Sequence, residues 1–334
     1  MTIKQLPQYF VWLVFLWACS DNNPTQSVKK PEKEAVEVPD FNADSAYLYI
    51  QQQVDFGPRF ISSKGWQQCG DFLVKKLKTY TRYVEEQNHP IKTYDGKSHT
   101  LRNIIASFSP KKNNRILLCA HWDTRHVADH DVERQNEPIL GANDGASGVG
   151  VILEIARTFK KDSLNIGLEI IFFDVEDYGA PILDNSFFDL QSMNDTWCLG
   201  SQYWCYNLNA NYKKPNFGIL LDMVGAKGAV FTKEEISRKY AGYHLNKLWK
   251  LAEFLGYGDY FQKRIAPPIT DDHTYINQLT LIPTIDIIHY DLSPYSGRFD
   301  FGRFHHTHQD NMEIIDKKTL NAVGHTVLSY LHNI

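Results

Sequence analysis

The chain has 334 residues, 43% of them hydrophobic, 13% aromatic and 22% charged. That is ample material for a large core and excludes an intrinsically disordered chain. With 35 Lys and Arg against 39 Asp and Glu, the net charge of −4 lacks the basic footprint of a nucleic-acid binder.

The first 18 residues read as a signal peptide. Lys4 supplies a positive end, and Tyr9 to Trp17 is an unbroken apolar run followed by Ala18. The run is shorter than the about 20 residues a membrane-spanning helix needs, and suits a leader. Leu16-Trp17-Ala18-Cys19 is similar to a bacterial lipobox, in which the cysteine is lipidated and begins the mature chain; Trp17 is bulkier than that pattern usually carries. Residues 19–40 hold Pro24, Pro31, Pro39 and mostly polar neighbours, the composition of a flexible tether. A periplasmic chain anchored through Cys19 is expected, with residues 41–334 as one catalytic domain. A monomer is favoured, and the anchor is the only membrane contact expected. Four cysteines remain, Cys69, Cys119, Cys198 and Cys205. They are too few for a disulfide scaffold and contain no CxxC pair. Cys198 and Cys205 are close enough to pair, or are two packed thiols.

From Phe41 onward helical and strand patterns alternate. Asp44 is placed as the cap of a first helix that ends near Gly57-Pro58. Trp66, Cys69, Leu73 and Leu77 share one face of a second. Residues 101–108 and 115–120 read as strands joined by a turn around residues 111–114, followed by a helix over 148–159. Residues 168–173 (LEIIFF) fit a strand buried on both faces. Strands over 219–223 and 284–288 and helices over 237–255 and 317–332 complete the pattern. Such alternation indicates an α/β sandwich around a largely parallel sheet.

Ligands of open α/β sheets sit at the carboxyl ends of the strands. Polar residues cluster there: His121-Trp122-Asp123-Thr124, Asp174-Val175-Glu176-Asp177, Asp222 and His289. Asn143-Asp144-Gly145 and His305-His306-Thr307-His308 lie on connecting segments. A solitary Asp after a strand is ordinarily a cap or turn residue. Convergence changes that reading, because Asp144, Glu176, Asp177, Asp222 and His306 on one sheet edge repel one another unless a divalent cation neutralises them. Carboxylates and imidazole without thiolate suit a catalytic zinc with an open position. Adjacent residues on a strand point to opposite faces, so aiming both Glu176 and Asp177 at one site requires an irregular turn. One carboxylate then binds metal and the other stays free as general base.

In order, the chain carries Arg102-Asn103-Ile104-Ile105, Ala120-His121-Trp122-Asp123, Gly141-Ala142-Asn143-Asp144, Phe172-Phe173-Asp174-Val175-Glu176-Asp177, Leu220-Leu221-Asp222-Met223-Val224-Gly225, Asp271-Asp272-His273 and His306-Thr307. As a constellation this resembles the glutaminyl-peptide cyclotransferases, or glutaminyl cyclases, relatives of zinc-dependent aminopeptidases. The likeness runs from about Phe41 to Ile334. It implies a three-layer α/β sandwich with a central mixed, largely parallel sheet flanked by helices, as in zinc exopeptidases. It further implies one zinc per chain on Asp144, Asp177 and His306, with Asp177 standing where animal cyclases carry Glu. Glu176 would be the general acid/base, Asp222 and Asp271 a hydrogen-bonded pair beside it, and His121 and Asp123 the supports of Asp144. The substrates implied are peptides or proteins with N-terminal glutamine, closed to pyroglutamate with release of ammonia.

The chain departs from animal members at Val149, where they carry a cysteine paired to the Cys119 position, leaving Cys119 a free buried thiol. It has His305 where they place Trp; Trp197 and Phe304 are candidates for that pocket wall, with core packing the alternative for both. Residues 178–197 read as a loop insertion of bacterial members. The same ligand types also suit a two-metal aminopeptidase, with His121, Asp144 and Asp222 around one ion and Asp144, Asp177 and His306 around the other. A lipid-anchored binding protein on a degenerate peptidase fold would show gaps among these positions, and none is present.

Overall fold

The computed structural model describes residues 40–160, 164–181 and 193–334, together with Thr2. The leader, Cys19 and nearly all of the tether lie outside them, as do residues 182–192 of the insertion. Residues 37–334 form one compact unit. Among the described residues no helix is long and apolar enough to cross a membrane.

Helix α1 (Ala43–Val54) is capped by Asn42, whose side chain accepts from the Ser45 amide; Asp44, expected as the cap, lies in the first turn. Asn is among the best residues for this cap, and an acid in the first turn suits the helix dipole. Helix α2 (Lys64–Lys78) starts on Ser63 and buries Cys69, Leu73 and Leu77, as their spacing predicts. The strands β1 (Tyr83–Lys92), β2 (Ser98–Phe108), β3 (Arg115–His121), β4 (Gly167–Phe173), β5 (Phe217–Asp222) and β8 (Thr284–Ile288) form one sheet in the order β1-β2-β4-β3-β5-β8. Strands β4, β3, β5 and β8 run parallel, while β1–β2 and β2–β4 are antiparallel. The sheet is therefore mixed and largely parallel. Consecutive strands β2 and β3 are not neighbours, because β4 inserts between them.

Side chains alternate faces along each strand. Ile116, Leu118 and Ala120 of β3, Leu168, Ile170 and Phe172 of β4, and Phe217, Ile219 and Leu221 of β5 join the larger core. That core includes helices α1, α2, α3 (Ala146–Phe159), α5 (Glu235–Phe254) and α7 (Lys317–His332). The opposite faces, Leu117, Cys119, Ile171, Phe173 and Leu220, pack with Trp204 of α4 (Leu199–Tyr206) and with Tyr275 and Ile276. Each fully buried aliphatic side chain contributes about 1.5–3 kcal/mol. Helix α3 comes so close to the sheet that a Cβ on Gly148 would lie 2.0 Å from the Leu221 carbonyl oxygen; only glycine admits this packing. A two-stranded sheet of β6 (Phe231–Glu234) and β7 (Phe261–Ala266), the pair β9 (Asp291–Leu292) with β10 (Phe299–Asp300), and the short helix α6 (Asp272–Tyr275) complete the fold. Cys69, Cys119, Cys198 and Cys205 are all free, buried thiols, so Cys198 and Cys205 take the packed alternative.

Candidate active site

Strand order sets the site. β3 lies between β4 and β5, so His121 at its end sits between the turn after β4 and Asp222 at the end of β5. One nitrogen of His121, Nε2, lies 3.0 Å from Asp222 Oδ1 and 3.1 Å from Asp144 Oδ1. Asp144 is held through its backbone as well. The Asp310 carboxylate accepts from the Asn143 amide at 2.7 Å and from the Asp144 amide at 2.9 Å, just before α3.

The turn carrying Glu176 and Asp177 is irregular, as the adjacency of two inward carboxylates requires. Val175 adopts φ +56°, in the left-handed region disfavoured for a β-branched residue. Asp123, expected to support Asp144, faces His121 Nδ1 at 3.5 Å and also holds this turn: its two oxygens accept from the Glu176 amide at 3.1 Å and the Asp177 amide at 3.2 Å. Buried Arg125 donates to the Asp177 and Gly179 carbonyls at 2.9 and 2.7 Å. It also grips Asp129, whose Oδ1 lies 3.1 Å from His306 Nδ1. That contact leaves His306 Nε2 facing Asp177 Oδ1 at 3.1 Å and Asp144 Oδ2 at 3.8 Å.

One donor atom from each of Asp144, Asp177 and His306 falls within 4.8 Å of the others. Asp177 Oδ2 is buried with no hydrogen-bond partner. Two carboxylates and an imidazole backed by Asp129, with an orphaned oxygen, are the donor set a catalytic zinc takes. His121, Asp144 and Asp222 also meet this criterion. There, too, one imidazole nitrogen faces two carboxylates, at 3.0 and 3.1 Å.

Electrostatics follow from burial. Desolvation raises Glu176 well above the usual carboxylate range; His121 opposes this and Asp271, Asp177 and Asp272 add to it. Burial and the Asp144 charge raise Asp177 to about 6 against the pull of His306. Burial likewise lifts Asp222 to about 7, reinforced by Asp144 and Asp271 and opposed by His121. For His306, burial lowers the pKa, but Asp177 and Asp129 carry it up to about 9. Burial also works against ionisation of Asp144, yet His121 and His306 together hold it below its ordinary value.

Asp222 and Asp271, the expected pair, both line the cavity, and the Asp271 charge helps to raise Asp222. Asp271 also comes within reach of Glu176 and Cys198, and of His273 and Asp286.

Glu176, Asp177, Asp144, Asp222, Asp271 and His306 line one cavity of about 340 Å³. Trp197 forms part of its wall, parallel to the His306 ring at 5.9 Å and beneath the Arg125 guanidinium. Phe304, the other candidate, packs on His289, and Phe301 lines the cavity instead. Asp174 is structural, accepting from Trp66 Nε1, the Arg102 amide and the Val175 amide. His289 accepts from the Val230 amide, and His308 contacts Asp131. Asp129, Asp310 and Arg125 were missed because they lie on loops away from the ends of the apolar runs, and their partners at residues 177, 306 and 144 are set by the fold.

A sheet ending in acids, with a cation-sized carboxylate–imidazole cluster, defines a zinc hydrolase-type scaffold. Residues 103–331 match the model of peptidase family M28, and the chain belongs to that family. It is similar to a glutaminyl cyclase of Bacteroides thetaiotaomicron, whose crystal structure holds N-acetylhistamine. Identity is 47% with a TM-score of 0.84, over 89% of this chain and all of that one. A Zn-dependent exopeptidase of Parabacteroides distasonis is 46% identical, with the same coverage and TM-score. The glutaminyl-peptide cyclotransferase of Bothrops jararaca is 26% identical over 267 residues, which are 70% of this chain and 66% of that protein.

Proposed function

We propose that the chain is a zinc-dependent glutaminyl cyclase, closing the N-terminal glutamine of peptides or proteins to pyroglutamate with release of ammonia. The observation that carries this reading is Glu176. It adjoins the ligand Asp177, yet its own side chain lies outside that ligand set and lines the cavity. Relatives bearing the glutaminyl cyclase name support it.

One zinc on Asp144, Asp177 and His306 would supply Lewis-acid polarisation of the substrate's side-chain amide. The residues do the rest. The cavity sits near the lower end of small-molecule pockets and suits a single terminal residue. Asp222 and Asp271, on its wall, present carboxylates to the substrate's ammonium group. Glu176 takes a proton from the attacking amine as the new N–C bond forms and returns one to the leaving nitrogen as the old C–N bond breaks. Ring closure is intramolecular, so holding the folded conformer against Trp197 and excluding water accounts for much of the rate.

His121, Asp144 and Asp222 meet the same distance criterion as Asp144, Asp177 and His306, so the ion count is what separates the cyclase from a two-metal aminopeptidase. The leader completes the proposal: a periplasmic monomer, lipid-anchored through Cys19, with residues 41–334 as the catalytic domain. Metal analysis paired with a glutaminyl peptide assay is the test. Ammonia release with about one zinc per chain is expected; a freed N-terminal residue with two zincs would replace the cyclase by an aminopeptidase.

A further inference from the structure

Cys198 is wholly buried and stands with φ +56° immediately before α4. Its amide donates to the Glu176 carbonyl at 3.0 Å, and the Leu199 amide donates to the Val175 carbonyl at 2.9 Å. The start of α4 is thereby latched to the acid turn. The thiol follows the backbone: Cys198 Sγ lies 3.2 Å from Glu176 Oε1. From the far side comes Asp271, 3% exposed, with Oδ1 accepting from the Asp272 amide and Oδ2 buried without a partner.

We propose that Glu176, Cys198 and Asp271 form a second, inhibitory cation site selective for soft divalent ions, which shuts the enzyme by taking its acid/base as a ligand. One donor atom from each falls within 4.8 Å of the other two. Glu176 and Asp271 line the cavity, so an ion reaches the trio from the substrate's side. The orphaned Asp271 oxygen is a buried acceptor that a cation would satisfy. Sulfur separates this site from the catalytic one: Asp144, Asp177 and His306 offer only oxygen and nitrogen, whereas a thiolate favours soft metals. Burial and the surrounding Glu176, Asp272 and Asp271 carboxylates keep the thiol protonated without an ion. Cation binding reverses the sign of that field. The S–H bond breaks, a sulfur–metal bond forms, and the proton leaves to solvent. The regulatory consequence rests on the cyclase reading; the site itself does not.

The probe is Cd²⁺ alone, titrated into the zinc-loaded protein and followed by the ultraviolet thiolate-to-cadmium charge-transfer band. The wild type is expected to gain the band, saturating at one Cd²⁺ per chain, with turnover lost in parallel. Cys198→Ser should lose the band and need at least about tenfold more Cd²⁺ for half-inhibition, relative to its own uninhibited rate. Cys198→Ala should match it in the band readout, and Cys205→Ser should retain the band. A wild type with no band, or a band that survives in Cys198→Ser or Cys198→Ala, overturns the site. A band without loss of turnover overturns the inhibition. Failure to turn over glutaminyl peptides before any Cd²⁺ is added would count against the cyclase reading alone, since the band is read without substrate.

Discussion

Asp123→Ala tests whether one carboxylate positions the catalytic turn. Asp123 is fully buried and accepts from two successive amides, those of Glu176 and Asp177, with His121 Nδ1 3.5 Å away. Alanine leaves both amides without an acceptor. At about 1–3 kcal/mol for each stranded donor, the loss is on the order of 2–6 kcal/mol. Against a typical domain stability of about 5–15 kcal/mol, that is a large share. Asp123→Asn keeps one acceptor oxygen, so about half the loss is expected. Because Asp177 rides on this turn, zinc affinity should fall with stability, by about 10–100-fold for the alanine variant. Urea unfolding must be run at fixed free zinc, since a ligand bound to the native state raises the midpoint by mass action. Chelator competition supplies the affinity. The expected order is wild type, then Asn, then Ala, in both measurements. An alanine variant with the wild-type midpoint and full zinc retention would refute the latch.

Glu176→Gln should keep zinc content and unfolding midpoint while turnover drops about 10²–10⁴-fold; near-normal ammonia release removes Glu176 as the acid/base. His306→Ala should lose zinc together with activity, and a variant that keeps full metal occupancy takes His306 out of the ligand set. Asp129→Asn acts through His306 Nδ1, so zinc affinity should weaken about 10–100-fold, with turnover at saturating zinc largely kept. Equal affinity in a chelator competition would show that the 3.1 Å contact does not orient the ring.

The acids at the strand ends were legible because long apolar runs such as residues 168–173 mark a parallel strand and its carboxyl end without any knowledge of sheet order. Helices α2 and α7 were legible for the same reason: their apolar residues repeat at helical spacing over several turns. Edge strand β1 was not, since its side chains are partly or fully exposed throughout and its composition is largely polar. The insertion of β4 between β2 and β3 is a long-range choice that no local pattern encodes. The same holds for supports of the site. Asp123 was visible as a polar residue after β3, but its partners depend on where the next strand ends. The Asp271 pairing with Asp286 depends on β8, whose buried aspartate reads locally as an interruption of an apolar strand.

Strain shows why so many charges support so few reacting groups. Among the described residues, seven other than glycine have positive φ, and four of them are Val175, Cys198, Met223 and His306. Val175 aims Glu176, Met223 follows Asp222, Cys198 touches Glu176, and His306 is itself a candidate ligand. At about 1–3 kcal/mol each, these conformations together cost on the order of 4–12 kcal/mol and persist only where neighbours over-determine them. Asp123, Asp310, Arg125 and Asp129 are those neighbours, fastening the backbone of the Glu176–Asp177 turn, the amide of Asp144 and the ring of His306. Their bonds to the backbone and to the imidazole hold the donor atoms of Asp144, Asp177 and His306 within 4.8 Å of one another. Glu176 stands beside the candidate ligand Asp177 but outside its cluster with Asp144 and His306.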